Sequence, residues 1–292
     1  MTETKSERWT RERSFHHSRF PPGRVAAERE CSAAVVLPAR ECAASIGAVV
    51  GQLTPLIAAG AVDEILVVDA ASVDGTARLA AAAGARVVQE DDLLAEFGPV
   101  MGKGDAMWRS LAATDAEVVC FLDADSHGPV AHYVSGLLGP LVCERDADFV
   151  KGHYRRPLAL AQVRVEEGGG RVNHLTARPA LALFYPELAG FRQPLAGEVA
   201  ARRSLLEEIP FAAGYGVEVA MLIDVCRRVG LERMAQVDLD EHVNSHQPIA
   251  ALSEMAQTVL ATVAERLRRE GRLAVEPSRI VERPAHAALA RR

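Results

Sequence analysis

Short apolar runs alternate with segments of helical spacing from residue 33 to residue 122, and this alternation constrains the fold more than any other feature. The apolar runs are predicted strands at 33–37, 64–68, 86–89 and 118–122. Predicted helices lie between them at 43–58, 74–83 and 105–113. Successive strand–helix units predict an α/β fold with a mostly parallel sheet and helices on both faces. In such sheets ligands bind beyond the carboxyl ends of the strands.

The remainder of the chain does not continue this alternation of strands and helices. It contains a glycine-rich loop, two helical patterns, a strand and an amphipathic helix, at 168–170, 173–184, 217–229, 234–239 and 249–270. We therefore divide the folded body into two halves, 29–150 and 151–273, packed on each other. The polar, periodless residues 1–28 and the proline- and arginine-containing residues 274–292 are expected to be mobile tails.

Composition narrows the class of partner. With 49% hydrophobic residues the chain can bury a large core, and a net charge of −6 disfavours nucleic acid as the main partner. No apolar run is long enough for a membrane span, and the charged N-terminus does not resemble a signal peptide. The five cysteines form no CxxC pair, which fits a reducing cytoplasm.

Two carboxylates separated by one residue, Asp123 and Asp125, follow the apolar run VVCFL. Hard oxygen ligands at a strand end suit Mg²⁺ or Mn²⁺ bridging a diphosphate. The alternative is an ordinary turn, because aspartate is common in loops that follow strands.

Two further polar loops follow strands and are expected to share the rim with this carboxylate pair. Asp69, Ser72 and Asp74 lie in the first, where Asp74 can cap the next helix and the loop can still face a nucleoside. In the second, Pro38-Ala39-Arg40-Glu41, the Glu41 carboxylate can accept hydrogen bonds from a ribose or base.

Gly102-Lys103-Gly104-Asp105 opens a predicted helix, so free amides and an ammonium converge on a place for an anion. Lys103 is one of only three lysines among 33 basic residues, which makes it a signal of its own. The spacing is not that of a Walker A loop, and no GxGxxG follows the first strand. A P-loop hydrolase and a dinucleotide dehydrogenase are therefore disfavoured.

Three polar segments in the second half are weaker candidates. The segment Gly168–Asn173 combines flexible backbone with Arg171 and suits a phosphate or carboxylate, although it also reads as a linker. Glu218 lies in the first turn of a predicted helix, where the helix dipole alone favours it. The loop HVNSHQ at 242–247 follows the last strand, and its imidazoles can complete a metal site.

Taken together, these segments resemble the retaining GT-A glycosyltransferases, and more narrowly the actinobacterial glucosyl-3-phosphoglycerate synthase family with its mannose-transferring relatives. The matching stretches are VVLPA at 35–39, D-x-x-S-x-D at 69–74, GKGDAMWRSL at 102–111, FLDAD at 121–125, VKGHYRRP at 150–157, GGGRV at 168–172, ARP at 177–179, QPLAGE at 193–198 and GYGVE at 214–218. They span most of residues 33–255. The DxD pair is shared by many transferases, whereas GKG-x-x-x-WRSL, KG-x-YRRP and GYGVE in this order are specific.

The resemblance implies a GT-A fold, a Rossmann-like nucleotide-diphospho-sugar transferase fold with a smaller acceptor-binding lobe. The half at 29–150 would hold the nucleotide sugar and the half at 151–273 the acceptor. The implied donor-site residues are Pro38, Ala39, Glu41, Ser72, Lys103, Asp123, Ala124, Leu195 and Glu218. The implied acceptor-site residues are Gly170, Arg171, Asn173 and His246, and Asp125, Lys103 and Glu218 would serve catalysis.

The resemblance further implies transfer of glucose or mannose from a UDP- or GDP-linked donor to 3-phosphoglycerate, with a divalent metal and a homodimeric enzyme. Asp125 would bind the metal, and the further ligand stays open among His242, Asn244 and His246, because Asn244 stands where the family places its metal-binding histidine. Because Glu218 is the one carboxylate expected near the sugar, and the resemblance assigns it to binding, a front-face route is favoured over double displacement.

Other functions stay open at this point. A sugar-nucleotide nucleotidyltransferase also uses strand-end aspartates with a metal, but it normally carries a glycine-rich basic loop after the first strand, where this chain has PARECAAS. A GT-A transferase for a different small anionic acceptor and a non-catalytic sugar or nucleotide binder are the remaining alternatives.

Overall fold

The computed structural model describes residues 3–160, 163–165, 169–242 and 248–272. The strands in these ranges are β1 (Ser14–His16), β2 (Ala33–Ala39), β3 (Glu64–Asp69), β4 (Arg86–Gln89), β5 (Val118–Phe121), β6 (Phe149–Arg155), β7 (Leu158–Leu160), β8 (Val163–Val165), β9 (Val199–Arg202) and β10 (Met234–Glu241). The helices are α1 (Lys5–Arg13), α2 (Pro22–Glu28), α3 (Ile46–Ala58), α4 (Thr76–Ala82), α5 (Lys103–Ser110), α6 (Ala131–Val142), α7 (Arg178–Phe184), α8 (Arg203–Glu207), α9 (Val217–Val229) and α10 (Ile249–Arg269). Short 3₁₀ turns occupy His17–Arg19, Glu90–Asp92, Ala95–Phe97, Leu111–Ala113, Pro186–Gly190 and Leu231–Arg233, and a π-helical turn occupies Asn173–Ala177.

Eight of these strands form one sheet in the order β1-β10-β6-β9-β5-β2-β3-β4, and β7 and β8 form a separate two-stranded ribbon. Every neighbouring pair in the large sheet is parallel except the two pairs that β9 makes with β5 and β6. The prediction of a mostly parallel α/β sheet is confirmed. Because β6, β9 and β10 lie in the same sheet as β2 to β5, a single sheet runs through both halves of the chain.

Alternate residues of each strand supply the two layers of the core. In β2, Val35 and Leu37 pack on one face with α2, α3 and α6, whereas Val36 packs on the other face with α5, α9 and α10. Both faces are therefore covered, which explains the continuous apolar runs from which these strands were predicted. None of the described helices is long and apolar enough to cross a membrane.

The first 28 residues correct a sequence-based expectation. The expected tail instead forms two helices and a strand, and β1 pairs in parallel with β10. Trp9 is buried, and its indole N–H donates to the Met234 carbonyl oxygen at 2.9 Å. The apolar residues of this segment stand among charged residues without any period, and their partners, such as Met234 for Trp9, are distant in sequence, so no local pattern reveals them. The second expected tail, 274–292, lies outside the described residues.

Phe20 is the largest side chain of this N-terminal segment that is completely buried. Its ring is fully buried against α6, where a Cβ added to Gly139 would lie 2.0 Å from the ring carbon Cγ. Gly139 is therefore required by the close approach of the ring, and the helix accepts a residue of poor helical propensity there.

We expect Phe20→Ala to lower the free energy of unfolding by ~3–5 kcal/mol, because truncating a buried phenylalanine removes apolar burial and leaves a cavity. Urea unfolding followed by circular dichroism measures the loss. The control is Val73→Ala, at a side chain that is 92% exposed, which should change the value by less than ~0.5 kcal/mol. A similarly small loss for Phe20→Ala would show that the segment is not part of the core.

Candidate active site

The strand-end loops meet in a cleft of about 780 Å³ at the carboxyl edge of the sheet. Its wall includes seven of the predicted residues, namely Pro38, Ala39, Glu41, Lys103, Asp123, Ala124 and Asp125. The expectation that the strand-end loops share one rim is therefore confirmed for 38–41 and 123–125, and Ala70 brings the third loop to the same wall. A second cleft, of about 820 Å³, lies between α1 and residues 186–192 and does not include these strand-end carboxylates.

Hydrogen bonds tie the two loops on the nucleoside side of the rim to each other. The Glu41 backbone N–H donates to Ser72 Oγ at 2.9 Å, and the Val73 N–H donates to Glu41 Oε1 at 2.9 Å. Asp74 accepts from the Thr76 N–H and from the Ala43 N–H, both at 2.9 Å. The N-cap of α4 is Gly75, so the expectation that Asp74 caps this helix is corrected. Asp74 precedes the cap, bonds to the first residue of α4 and also joins the loops, so the rim is held in shape before any ligand arrives.

Lys103 lies between two carboxylates at the start of α5. Its Nζ is 2.5 Å from Asp123 Oδ1 and 3.0 Å from Glu218 Oε1. Burial opposes protonation of Lys103, but the two carboxylates outweigh it and raise its pKa well above the usual value. The ammonium is therefore a fixed positive charge in the cleft. It connects Asp123 of the first half of the chain with Glu218 of the second half.

Steric constraints explain why glycines flank Lys103. Gly102 has a φ of +93°, and a Cβ on Gly104 would lie 1.8 Å from the Ala212 carbonyl oxygen. The start of α5 therefore packs backbone against backbone on the segment that leads into α9, which places Lys103 beside Glu218.

The Asp123-Ala124-Asp125 segment is held by a hydrogen bond from Ser45 and by the close approach of Gly197. Ser45 Oγ donates to the Ala124 carbonyl at 2.9 Å, and a Cβ on Gly197 would lie 2.3 Å from Asp123 Oδ1. Burial would raise the pKa of Asp123, but the Lys103 ammonium outweighs it and lowers that pKa. Asp125 is exposed in the cleft, and desolvation followed by the nearby Asp123 charge raises its pKa. Asp125 is therefore the member of the pair that most needs a cation.

His242 is the described member of the predicted metal loop. Its side chain is 2% exposed and stacks on Tyr154, with ring centroids 4.6 Å apart. Its Nδ1 is 3.4 Å from the Tyr133 hydroxyl, while its Nε2 has no hydrogen-bond partner among the described residues. Burial, and then Arg156, lower the pKa of His242 to about 4, so the imidazole is neutral at physiological pH. The other two candidates, Asn244 and His246, lie outside the described residues.

The predicted acceptor loop lies against the 192–195 segment rather than in the wall of the cleft. Asn173 is buried, its Nδ2 donates to the Arg192 carbonyl at 3.2 Å, and its Oδ1 accepts from the Leu195 N–H at 3.3 Å. Gly170 has a φ of +68°, and Arg171 beside it is half-buried. Asn173, predicted for the acceptor site, is therefore hydrogen-bonded to Leu195, predicted for the donor site.

Arg156 is a site residue that the sequence reasoning missed. Its carbonyl accepts from the Gly169 N–H at 2.9 Å, and its guanidinium lies over the Tyr154 ring, 5.8 Å from the centroid. Its charge also acts on Asp123, which places a second cation between the glycine loop and the carboxylate pair. The available signal was the motif KG-x-YRRP, in which Arg156 is the second arginine.

A buried polar layer beneath the cleft was also missed. Glu198 is fully buried, and its Oε2 accepts from the Tyr154 hydroxyl at 2.9 Å. Burial, and then Asp123, raise the pKa of Glu198 to about 7, while burial lowers the pKa of Lys151 to about 8. Such shifts accompany functional sites more often than ordinary cores, so this layer belongs to the site's electrostatic surroundings.

The fold and the site are those of a GT-A glycosyltransferase. The sheet is parallel except for one antiparallel strand, two aspartates follow a strand end, and a lysine contacts the first of them. No protein-family profile matches the chain. The chain is nevertheless 42% identical over 260 residues to the glucosyl-3-phosphoglycerate synthase of Mycolicibacterium smegmatis, covering 89% of this chain and 86% of that protein. The chain belongs to the glucosyl-3-phosphoglycerate synthase family, and it is a hexosyltransferase.

Solved structures agree with this assignment. Mannosyl-3-phosphoglycerate synthase from Rubrobacter xylanophilus is 44% identical, with a TM-score of 0.87 over 94% of this chain and 88% of that one. Glucosyl-3-phosphoglycerate synthase from Mycobacterium tuberculosis, in complex with Mn²⁺, UDP-glucose and phosphoglyceric acid, is 42% identical. Its TM-score is 0.75 over 85% of this chain and 84% of that one. The GT-A prediction is confirmed.

Proposed function

We propose that this protein transfers a glucosyl or mannosyl group from a UDP- or GDP-linked donor to the free hydroxyl of 3-phosphoglycerate, with retention of anomeric configuration. The observation that carries the proposal is the ammonium of Lys103 held between Asp123 and Glu218 in the cleft. This geometry suits a leaving diphosphate on one side and sugar hydroxyls on the other. The relatives support the substrates, because their names and solved complexes specify hexosyl-3-phosphoglycerate synthesis, UDP-glucose and phosphoglyceric acid.

The donor side follows from the rim. The nucleoside would be held by Pro38, Ala39, Glu41 and Ser72. The first three line the cleft, and Ser72 accepts the Glu41 backbone N–H. Lys103 would contact the diphosphate, Ala124 and Leu195 would border the donor, and Glu218 would accept hydrogen bonds from the sugar hydroxyls. Glu218 is 8% exposed at the first turn of α9, and its Oε1 lies 3.0 Å from the Nζ of Lys103, which lines the cleft.

A divalent metal, Mg²⁺ or Mn²⁺, is the cofactor, and three solved structures of the Mycobacterium tuberculosis relative with Mn²⁺ support it. The residues fit such an ion, because Asp125 offers an exposed carboxylate and the buried His242 has an unpartnered, neutral Nε2. When bound, the metal offsets negative charge on the leaving diphosphate. We propose that one of His242, Asn244 and His246 completes the ligand set; His242 is the one of the three that lies within the described residues.

The acceptor side follows from the glycine loop. Arg171 would pair with the phosphate or carboxylate of 3-phosphoglycerate, with the Gly170 backbone and Asn173 shaping the loop, and His246 stays a proposed contact from the sequence. Arg156 adds a second cation next to Gly169 and Gly170. Two cations suit an acceptor that carries both a phosphate and a carboxylate.

A front-face route fits the carboxylates that are present. The acceptor oxygen bonds to the anomeric carbon on the face from which the diphosphate leaves, the electron pair of the broken bond stays on the diphosphate, and a diphosphate oxygen takes the hydroxyl proton. Double displacement would instead need a carboxylate free to attack the anomeric carbon. Glu218 is paired with Lys103, and Glu198 is fully buried against Tyr154, so neither is presented as a nucleophile. Lys103 stabilises the charge that develops on the diphosphate.

The test is a donor panel. UDP-glucose, GDP-glucose, UDP-mannose and GDP-mannose are each incubated with 3-phosphoglycerate and Mg²⁺ or Mn²⁺, and mass spectrometry and NMR follow the product. We expect one hexosyl-3-phosphoglycerate with the donor's anomeric configuration. Absence of product with all four donors, or transfer only to a different anionic acceptor, would overturn the proposal.

We further propose that the enzyme works in the cytoplasm as a homodimer. Its five cysteines are all free, which fits a reducing compartment. Leu175 and Leu183 are 78% and 55% exposed in neighbouring helical turns, which suits burial against a second copy. Light scattering coupled to size exclusion measures the mass, and a monomer would contradict the dimer.

Arg171→Ala should raise the KM for 3-phosphoglycerate about 10- to 100-fold, because a charge-assisted contact with an anion contributes ~1.5–3 kcal/mol. The donor KM should change little. Arg178→Ala is the matched control from the same segment, where Arg178 is exposed and contacts His174. Equal weakening of both substrates by Arg171→Ala would mean that the loop does not read the acceptor.

A further inference from the structure

We propose that His16, His17 and Asp240 form a second metal site, selective for Zn²⁺ or a similar borderline cation and separate from the cleft. His16 Nε2 is 3.1 Å from Asp240 Oδ1, and His17 Nε2 is 2.6 Å from Asp240 Oδ2. One potential ligand atom from each of the three residues lies within 4.8 Å of the others. Each carboxylate oxygen thus faces one imidazole.

The fold builds this cluster by pairing the start of the chain with its last strand. His16 lies opposite Asp238 in the parallel pairing of β1 with β10. The register of β10 against β6 then shifts between Asp238 and Glu241, and Asp240 has a φ of +68°. A bulge of this kind re-aims a side chain, and here Asp240 turns back towards the two histidines. The Asp238 carboxylate stabilises the turn by accepting the Asp240 N–H at 3.0 Å.

The donor set selects the type of ion. Zinc binds imidazole nitrogen and carboxylate oxygen at about 2.0–2.2 Å, so its ligands stand roughly 3.3–3.6 Å apart in a tetrahedron. The two nitrogen–oxygen separations, 3.1 and 2.6 Å, lie below that spacing, and the three potential ligand atoms lie within 4.8 Å of one another. Side-chain rotation would therefore have to space the three atoms evenly around the ion. Two imidazoles favour Zn²⁺, Co²⁺ or Ni²⁺ over Mg²⁺. The remaining coordination position would hold water.

The surroundings support a ligand role for the two histidines. His16 Nδ1 accepts the Ser18 backbone N–H at 3.3 Å and lies 2.8 Å from Ser18 Oγ, so the ring is held with Nε2 towards Asp240. A metal would take the place of the Nε2 proton, and Nδ1–H would then donate to Ser18 Oγ. The neighbouring His132 ring lies 4.5 Å from His17, but its Nε2 is directed at the Leu239 carbonyl, so it packs against the cluster. The side chains of His16 and Asp240 are about half exposed, at 48% and 50%, so an ion can reach them from solvent.

This cluster differs from the metal site of the cleft in contacts and in chemistry. His242 follows Asp240 by two residues, yet its ring contacts Tyr133 and Tyr154 rather than His16 or His17. An ion at the second site would clamp the N-terminal segment to the strand that leads into His242. Without the ion, two histidine–aspartate contacts make the same connection more weakly.

The test uses tag-free, EDTA-treated protein carrying Asp125→Ala, which weakens the cleft site. We expect zinc titration calorimetry to give one equivalent bound, with a rise in Tm, and Mg²⁺ to give neither. His17→Ala in the same background should remove that equivalent and the Tm rise. His174→Ala, at an exposed histidine outside the cluster, should retain both.

A second pair of measurements separates binding from folding. Asp240→Asn should weaken zinc binding at least tenfold, and circular dichroism of the metal-free variants establishes that each is folded. Co²⁺ in place of Zn²⁺ should give a visible absorption band that His17→Ala abolishes. Undiminished zinc stoichiometry and affinity in His17→Ala, or no zinc binding by the Asp125→Ala protein, would overturn the proposal.

Discussion

Asp125→Ala is expected to reduce transfer at least a hundredfold, equivalent to about 2.7 kcal/mol of transition-state stabilisation. The variant removes the exposed carboxylate of the pair, so a divalent ion that offsets charge on the diphosphate would lose its main protein ligand. Steady-state turnover with saturating Mn²⁺ measures the effect. Asp92→Ala, at an exposed carboxylate outside the wall of the cleft, is the matched control and should keep parental turnover.

The same variant should be somewhat more stable than the parent in metal-free buffer at pH 7. A carboxyl group whose pKa is raised in the folded protein binds its proton more tightly there than in the unfolded chain, so its ionisation costs stability above the unfolded pKa. Removing Asp125 removes that cost, and the gain should vanish as the pH falls below about 4, where the group is protonated in both states. A raised Tm with lost turnover separates a chemical defect from a folding defect. Full activity of the parent in excess EDTA would contradict the metal role.

Lys103→Ala is expected to lower turnover more than a hundredfold and to raise the donor KM, because it deletes the cation that holds Asp123 and Glu218 together. Two carboxylates then face each other across the cleft, which disfavours an incoming diphosphate as well. Lys103→Arg keeps the charge but should still cut turnover about tenfold or more. The planar guanidinium does not reproduce the compact ammonium that contacts Asp123 and Glu218 at once.

Lys5→Arg is the matched control for this substitution. Lys5 is exposed on α1, away from the cleft, and the same exchange there should leave both kinetic parameters unchanged. Turnover and donor KM of Lys103→Arg equal to those of the parent would remove Lys103 from the donor phosphates. Because the pKa of Lys103 is raised, any activity lost at moderately alkaline pH must come from another group.

The parts predicted well from the sequence are those where local pattern and tertiary role coincide. Strands β2, β3 and β5 are buried on both faces, so their apolar runs are visible without any partner. Their carboxyl ends share an edge in any parallel sheet, which is why the strand-end loops could be placed together. The pairing of Lys103 with Asp123 required the path of α5 as well, and it emerged only from the structure.

The sequence did not predict the segments in which polar or charged side chains are buried. Strand β6 reads FVKGHYR, yet its first six residues are buried. Lys151 belongs to the polar layer beneath the cleft, and His153 lies 4.0 Å from the Asp238 carboxylate of β10. A strand pattern cannot reveal charged side chains in the interior when their partners are distant in sequence. Strand β9 is only four residues long and antiparallel to its neighbours, so it carries too little periodicity to be recognised.

The pairing of β1 with β10 also fixes an order of events during synthesis. Residues 14–16 leave the ribosome before their partners at 236–238, which emerge more than 200 residues later. Strand β1 must therefore wait for β10, with Trp9 without its Met234 partner, while the rest of the sheet assembles. Closing so long a loop is entropically costly and comes late, so this segment completes the folded protein rather than nucleating it.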